Sequence, residues 1–153
     1  MSSDCTSSII IIGHQEDLDL FLEKNLRFSS FFPSPTPTNI LATRGWALAT
    51  WGTCMDNSIQ FTGSTLDTRT SLVFKSDNFV NFHVWTPDAP PNLFLENLLK
   101  QYPRCWIKNS WSDESGKAGI WIAYMRHGFL VKQDMAWNEP EPVVGEDGTI
   151  AMP

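Results

Sequence analysis

Residues 8–24 read SIIIIGHQEDLDLFLEK, and the two halves of this stretch follow different periods. Ser8–Ile12 is a β-branched run that stops at Gly13, which predicts a strand buried on both faces. A helix is predicted to start at His14 or Gln15, because Glu16 and Asp17 bring negative charge to a first turn where the macrodipole favours it. Leu18, Phe21 and Leu22, with Leu26 beyond, repeat at helical spacing, and Asp19, Glu23, Lys24 and Arg27 take the other side. The stretch is therefore a strand followed directly by a helix.

Phe28–Phe32 is apolar and aromatic, and Pro33-Ser-Pro35-Thr-Pro37 after it excludes helix and central strand, which predicts an extended crossover loop. Thr43–Trp51 predicts a short helix broken at Gly52. Strands are predicted at Asn57–Thr62, Arg69–Phe74 and Phe79–Trp85, the last with near alternation. Asn92–Tyr102 carries the strongest helical pattern, with Leu95, Leu98, Leu99 and Tyr102 on its apolar face. Arg104–Trp111, Lys117–Met125 and a short Phe129–Lys132 complete the strands, with turns at Asp113–Gly116 and at His127-Gly128. Two main helices, each following a strand, predict an α+β two-layer sandwich of the ferredoxin-like kind. Its antiparallel or mixed sheet would carry both helices on one face. The expected organisation is a single domain over 1–133 and an acidic, flexible C-terminal tail over 134–153.

Charge supports that boundary. The chain of 153 residues has a net charge of −6. From Asp134 onward there are five acids and no Lys or Arg, whereas residues 1–133 hold twelve acids against eleven bases. A nearly neutral body excludes a nucleic-acid binder that works chiefly by neutralising phosphates. Cys5, Cys54 and Cys105 are odd in number, far apart and form no CxxC pair, which implies a reducing compartment. No apolar run approaches the ~20 residues of a membrane helix, and no signal peptide is evident. The expected location is intracellular, with no membrane partner.

The residues in order resemble a known family. Cys5–Gly13 leads into an acidic helix start, and Phe28…Phe32-Pro33-Ser-Pro35, Trp46, Trp51-Gly52-Thr53, Val84-Trp85-Thr-Pro87, Tyr102-Pro103 and Gly116…Gly119 follow. This series, over most of residues 5–133, resembles the YubB-type ferredoxin-like domain family of plasmid and phage proteins. It departs where that family tends to have Lys and Trp after Trp-Gly-Thr, since Cys54 and Met55 stand here. It departs again where the family reads Asp-Thr-Ala-Trp, since Asn81-Phe-His-Val-Trp85 stands here. The resemblance implies a ferredoxin-like fold without an iron–sulfur cluster, a viral or mobile-element origin with the host cytoplasm as location, and no activity.

Little in the sequence points to catalysis. His14, His83, His127 and the three cysteines show no metal-ligand spacing, there is no phosphate-binding glycine motif, and no cofactor is expected. A small enzyme centred on Cys54 or His83 is the third reading, and Cys54 lacks the adjacent base or helix N-terminus that activates a thiol. Seven Trp and ten Phe are instead the feature to explain. Tryptophan and arginine dominate interface hot spots, so Arg44, Trp46 and Trp51 form the candidate protein-interaction surface of a non-catalytic accessory protein that binds a partner or itself. The alternative is a single-stranded nucleic-acid binder that stacks bases on Trp85, Trp106 and Trp111.

Overall fold

The computed structural model describes residues 4–35, 40–54, 57, 70–138 and 143–151. Among them the order is β1 (Cys5–Ile12), α1 (Gln15–Glu23), α2 (Phe28–Phe31), α3 (Ile40–Thr50), β2 (Thr70–Lys75), β3 (Phe79–Thr86), α4 (Asn92–Gln101), β4 (Trp106–Asp113), β5 (Lys117–Arg126), β6 (Phe129–Asn138), β7 (Val143–Val144) and β8 (Ile150–Ala151). Six strands form one sheet in the order β2-β3-β1-β4-β5-β6, and β7 pairs with β8 separately. Every neighbouring pair in the large sheet is antiparallel.

This corrects the expected ferredoxin-like sandwich with two main helices. The sheet has six strands, strand residues outnumber helical ones, and four helices accompany it. The two unexpected features have clear origins. Phe28–Phe31 closes a single helical turn because Phe28 and Phe31 both reach the core, although the segment lacks the acidic start and leucine spacing that mark α1. The acidic stretch from Asp134 does not begin as the expected flexible tail, since Asp134–Asn138 is the second half of β6 and pairs with Lys117–Trp121. The strand expected at Asn57–Thr62 lies outside the described residues except for Asn57.

All four helices cover the same side of the sheet. Leu18 and Phe21 of α1, Phe28 and Phe31 of α2, Ala47 of α3 and Phe94, Leu95, Leu98 and Leu99 of α4 join one core with Ile9, Ile11, Val80, Phe82, Val84, Ile107, Trp121 and Ala123 from the strands. These strand positions share one parity on each strand, as a pleated sheet with a single covered face requires. The four-isoleucine run is accordingly split: Ile9 and Ile11 are 0% exposed and Ile12 is 42% exposed. The expectation that this strand is buried on both faces does not hold.

Aromatic rings join the helices to each other. Phe28 meets Phe94 at 4.5 Å, Phe21 meets Tyr102 edge-on at 5.1 Å, and Trp46 meets Trp51 edge-on at 5.1 Å. Polar staples fix the connections. The Trp51 indole N–H donates to the Phe32 carbonyl at 3.1 Å, and the Asn97 amide donates to the Thr50 carbonyl at 3.0 Å at the end of α3. After α1 the chain turns through left-handed Asn25 and Leu26, at φ 50 and 49, which returns Leu26 to the core.

The most connected staple is Asn57, which is 3% exposed. Its carbonyl oxygen accepts the Phe28 backbone N–H at 2.9 Å, and its amide donates to the Leu26 carbonyl at 2.9 Å and to the Thr70 hydroxyl. One side chain thus ties the start of α2 to the start of β2. Asn57→Ala orphans these buried backbone groups, and we expect a loss of about 1–3 kcal/mol. Urea denaturation should show a lower midpoint with an unchanged slope.

Candidate functional site

A sheet covered on one side displays the alternate side chains of every strand on the other. Cross-strand partners share a face, so the register gives the composition of this surface directly. At one end the row runs Phe79, Ile12, Trp106, Tyr124, Val131 across β3, β1, β4, β5 and β6. The next row is Asn81, Ile10, Lys108, Ile122, Gln133. Below it lie His83, Ser8, Ser110, Ile120, Met135, and then Trp85, Thr6, Ser112, Ala118, Trp137. Arg126 and Phe129 add to the β5–β6 end.

Two properties of this helix-free face stand out. It is rich in apolar and aromatic groups, with Phe74 57%, Met135 63% and Phe129 76% exposed. Its charged strand positions in these rows are cationic, namely Lys108 and Arg126, and no Asp or Glu stands among them, although the chain is acidic overall. The carboxylates lie elsewhere. Asp17 and Glu16 of α1 pair with Arg104, at 3.0 and 3.9 Å, and Glu96 of α4 takes Lys132 at 3.2 Å and Lys100 at 3.8 Å. Asp113 closes the β4–β5 turn, accepting from the Ser115 hydroxyl and from the Ser115 and Lys117 backbone N–H groups. Those hydrogen bonds, the Ser115 hydroxyl first, hold its carboxyl below the ordinary range.

The Phe79–Val131 row borders an open groove of about 530 Å³. Ile12, Gly13, His14, Asn78, Arg104, Cys105, Trp106 and Tyr124 are among its walls. Gly13 lets the chain pass close to β4 at that end, since an added Cβ would lie 2.9 Å from the Cys105 sulfur and displace it.

The structure separates the tryptophans proposed for base stacking. Trp85 and Trp106 both lie on the helix-free face, but their β1 partners are Thr6 and Ile12, which places them roughly 20 Å apart along the strands. Trp111 lies on the opposite face, above Gly119, where a Cβ would meet its ring at 2.6 Å. The aromatic neighbour of Trp106 is instead Tyr124, directly opposite on β5. The sequence reading did not single out Tyr124, Ile10, Ile12 or Ile122. The available signal was the alternation of Ile120, Ile122 and Tyr124 with the buried Trp121 and Ala123.

The Arg44, Trp46 and Trp51 group is only partly a surface. Trp51 is 2% exposed and belongs to the core, Trp46 is half-buried against it, and Arg44 is exposed. Trp46 and Trp51 touch, whereas Arg44 stands exposed two residues before Trp46 on α3, a spacing that does not bring side chains together.

Thiol chemistry has no support in the geometry. Burial pushes the Cys54 thiol up to about 11, with the Asp88 hydrogen bond and charge acting the same way. Burial likewise takes Cys5 to about 11 and Cys105 to about 12. His83 stands exposed between Ser8 and Ser71 on neighbouring strands, with neither a cysteine nor a carboxylate as cross-strand partner. No group of three His, Cys, Asp or Glu among the described residues is placed to hold a metal, and no described helix is long and apolar enough to cross a membrane. No protein-family model, curated protein or solved structure matches the chain.

Two outcomes test this placement. A thiol of pKa about 11 is ionised in roughly one molecule in a thousand at pH 8. Iodoacetamide should therefore alkylate Cys54 of the folded protein far more slowly than free cysteine, with a rate that climbs until the pH reaches about 11. Gly119→Ala should cost about 1–3 kcal/mol by overpacking Trp111 and the Met135 carbonyl, read as a lower melting temperature.

Proposed function

We propose that the protein is a non-catalytic interaction module that docks another protein on the helix-free face of its sheet. The observation that carries this reading is the composition of that face: Ile10, Ile12, Trp106, Ile120, Ile122, Tyr124, Val131 and Met135 share it with Lys108, and no carboxylate stands in its strand rows. Contiguous exposed apolar surface on a soluble domain marks an interaction site. Central aromatic anchors carry most of the energy of such interfaces, and Trp106 beside Tyr124 supplies that pair. Lys108 and Arg126 favour a partner whose matching surface is neutral or acidic. Burial, which raises all three thiols, leaves no cysteine activated as a nucleophile. The viral or mobile-element setting, and a location inside the host cell, rest on the sequence resemblance of residues 5–133. The free cysteines accord with a reducing compartment.

A second reading has its own observation. The Trp106–Tyr124 pair lies beside Lys108 on the carboxylate-free face, which suits stacking of two bases of a single-stranded nucleic acid.

One experiment separates them. The tagged protein is used for a pull-down from its native cells with and without nuclease, and Trp106→Ala and Ile122→Asp are run beside it. We expect a protein partner that survives nuclease and loses at least about thirtyfold in affinity with Trp106→Ala, the scale of a hot spot. Retention lost on nuclease treatment, together with quenching of Trp106 fluorescence by oligothymidylate at low salt, transfers the surface to the nucleic-acid reading. Undiminished binding by both variants removes the face from either role.

A further inference from the structure

The two edges of the sheet are built differently. β2 breaks register between Leu72 and Phe74, and a bulge of this kind blunts an edge. β6 has no such device. It pairs with β5 without interruption from Arg126–Phe129 to Lys117–Asn138, holds no proline, and among the described residues has no strand on its outer side.

The turn at its start shows which backbone groups point outward. His127 and Gly128 have φ 52 and 79, and Arg126 faces Phe129, which defines a two-residue hairpin turn with both central residues left-handed. In such a hairpin the flanking pair exchanges both backbone hydrogen bonds, and hydrogen-bonded pairs then alternate along the ladder. Phe129, Val131, Gln133, Met135 and Trp137 therefore direct their N–H and C=O groups at β5. Leu130, Lys132, Asp134, Ala136 and Asn138 direct theirs away from the sheet, along an edge eight residue spacings long.

The side chains of β6 read as a chemical palindrome about Gln133. A two-fold axis through Gln133, perpendicular to the sheet, sets Lys132 against Asp134 of a second copy, and Asp134 against its Lys132. On the helix-free face the same axis sets Val131 against Met135 and Phe129 against Trp137, while Leu130 meets Ala136 on the helix side. Moving the axis by one residue either way places Lys132 against Lys132 or Asp134 against Asp134, which is unfavourable for directly opposed strand residues. The exposed Phe129, Met135 and Trp137, at 76%, 63% and 43%, all acquire apolar partners together only in the favoured register; the shifted registers pair Phe129 with Met135 or Trp137 with Val131 and leave the rest without one.

We infer that the chain self-associates as a two-fold dimer through antiparallel β6–β6 pairing centred on Gln133, which joins two sheets into one. The helix-free faces of both copies then lie on the same side as one continuous surface. This inference rests on the edge of the sheet and not on the partner proposed for its face.

The test uses sedimentation velocity of the full chain over a concentration series. The wild type should pass from dimer to monomer on dilution. Asp134→Pro removes an outward N–H that no strand of the same copy uses, so it should leave the circular dichroism spectrum and the melting temperature of the monomer intact while abolishing the dimer. Asp134→Lys, which opposes two like charges twice across the axis, should weaken it by about tenfold. Gln133→Cys should oxidise to a covalent dimer, because a self-paired position without hydrogen bonds brings its two Cα atoms close; Lys132→Cys should not. A wild type that sediments as a monomer throughout overturns the inference. So does an undiminished dimer in Asp134→Pro and Asp134→Lys, or a dimer in which Gln133→Cys fails to cross-link.

Discussion

The period of two in a β-strand, combined with a single layer of helices, is the constraint on which the rest of the molecule depends. Every strand must offer half of its side chains to the core and half to the far side. β1 shows this at its simplest, because Ile9 and Ile11 enter the core while Ile10 and Ile12, of identical chemistry, do not. β5 repeats the division, with Trp121 and Ala123 inside and Ile122 and Tyr124 outside. Hydrophobic composition alone therefore does not report the core of this protein. Strand parity does.

The covered side solves a different problem, that of holding four short helices in place. None is longer than eleven residues, and isolated helices of that length are marginal in water. Their stability comes from shared aromatic contacts and from side-chain amides that satisfy chain ends. Asn57 serves the α2 entry, and Asn97 serves the end of α3. Asn109, 0% exposed on β4, donates from its amide to Asn92 at the start of α4 and to Ser7 of β1. These amides specify where the helices sit, which the interchangeable Leu and Phe contacts leave undetermined.

Much of this was legible in the sequence where one period dominated. α1, α4 and the strands at 79–86, 106–113 and 117–126 announce themselves by spacing, caps and turn residues. Three things were not. The short α2 has neither caps nor an amphipathic repeat, and forms because two of its phenylalanines pack. The later part of β6 reads as an acidic tail, because Asp134 and the acids beyond it outweigh the alternation of Val131, Met135 and Trp137. The separation of Trp106 from Trp111 follows from their opposite parity only once the strand is known to have a single covered face. Asn57, by contrast, gives no local sign of its role, since its partners Leu26, Phe28 and Thr70 are brought to it only by the fold.

The position of β1 bears on how the chain is made. It lies with β4 at the middle of the sheet, and both of its neighbours come much later in the chain. Ser8 bonds to Asn81, 73 residues downstream, and Ser7 to Asn109, 102 residues downstream. Such distant pairings raise the contact order and slow folding. The isoleucine run therefore leaves the ribosome well before either flanking strand exists to shield it, and for that interval the nascent chain carries an unpaired, aggregation-prone segment. Gly13, with the acids Glu16 and Asp17 close behind it, flanks that run with the kind of residues that limit its association with other chains until β3 and β4 arrive.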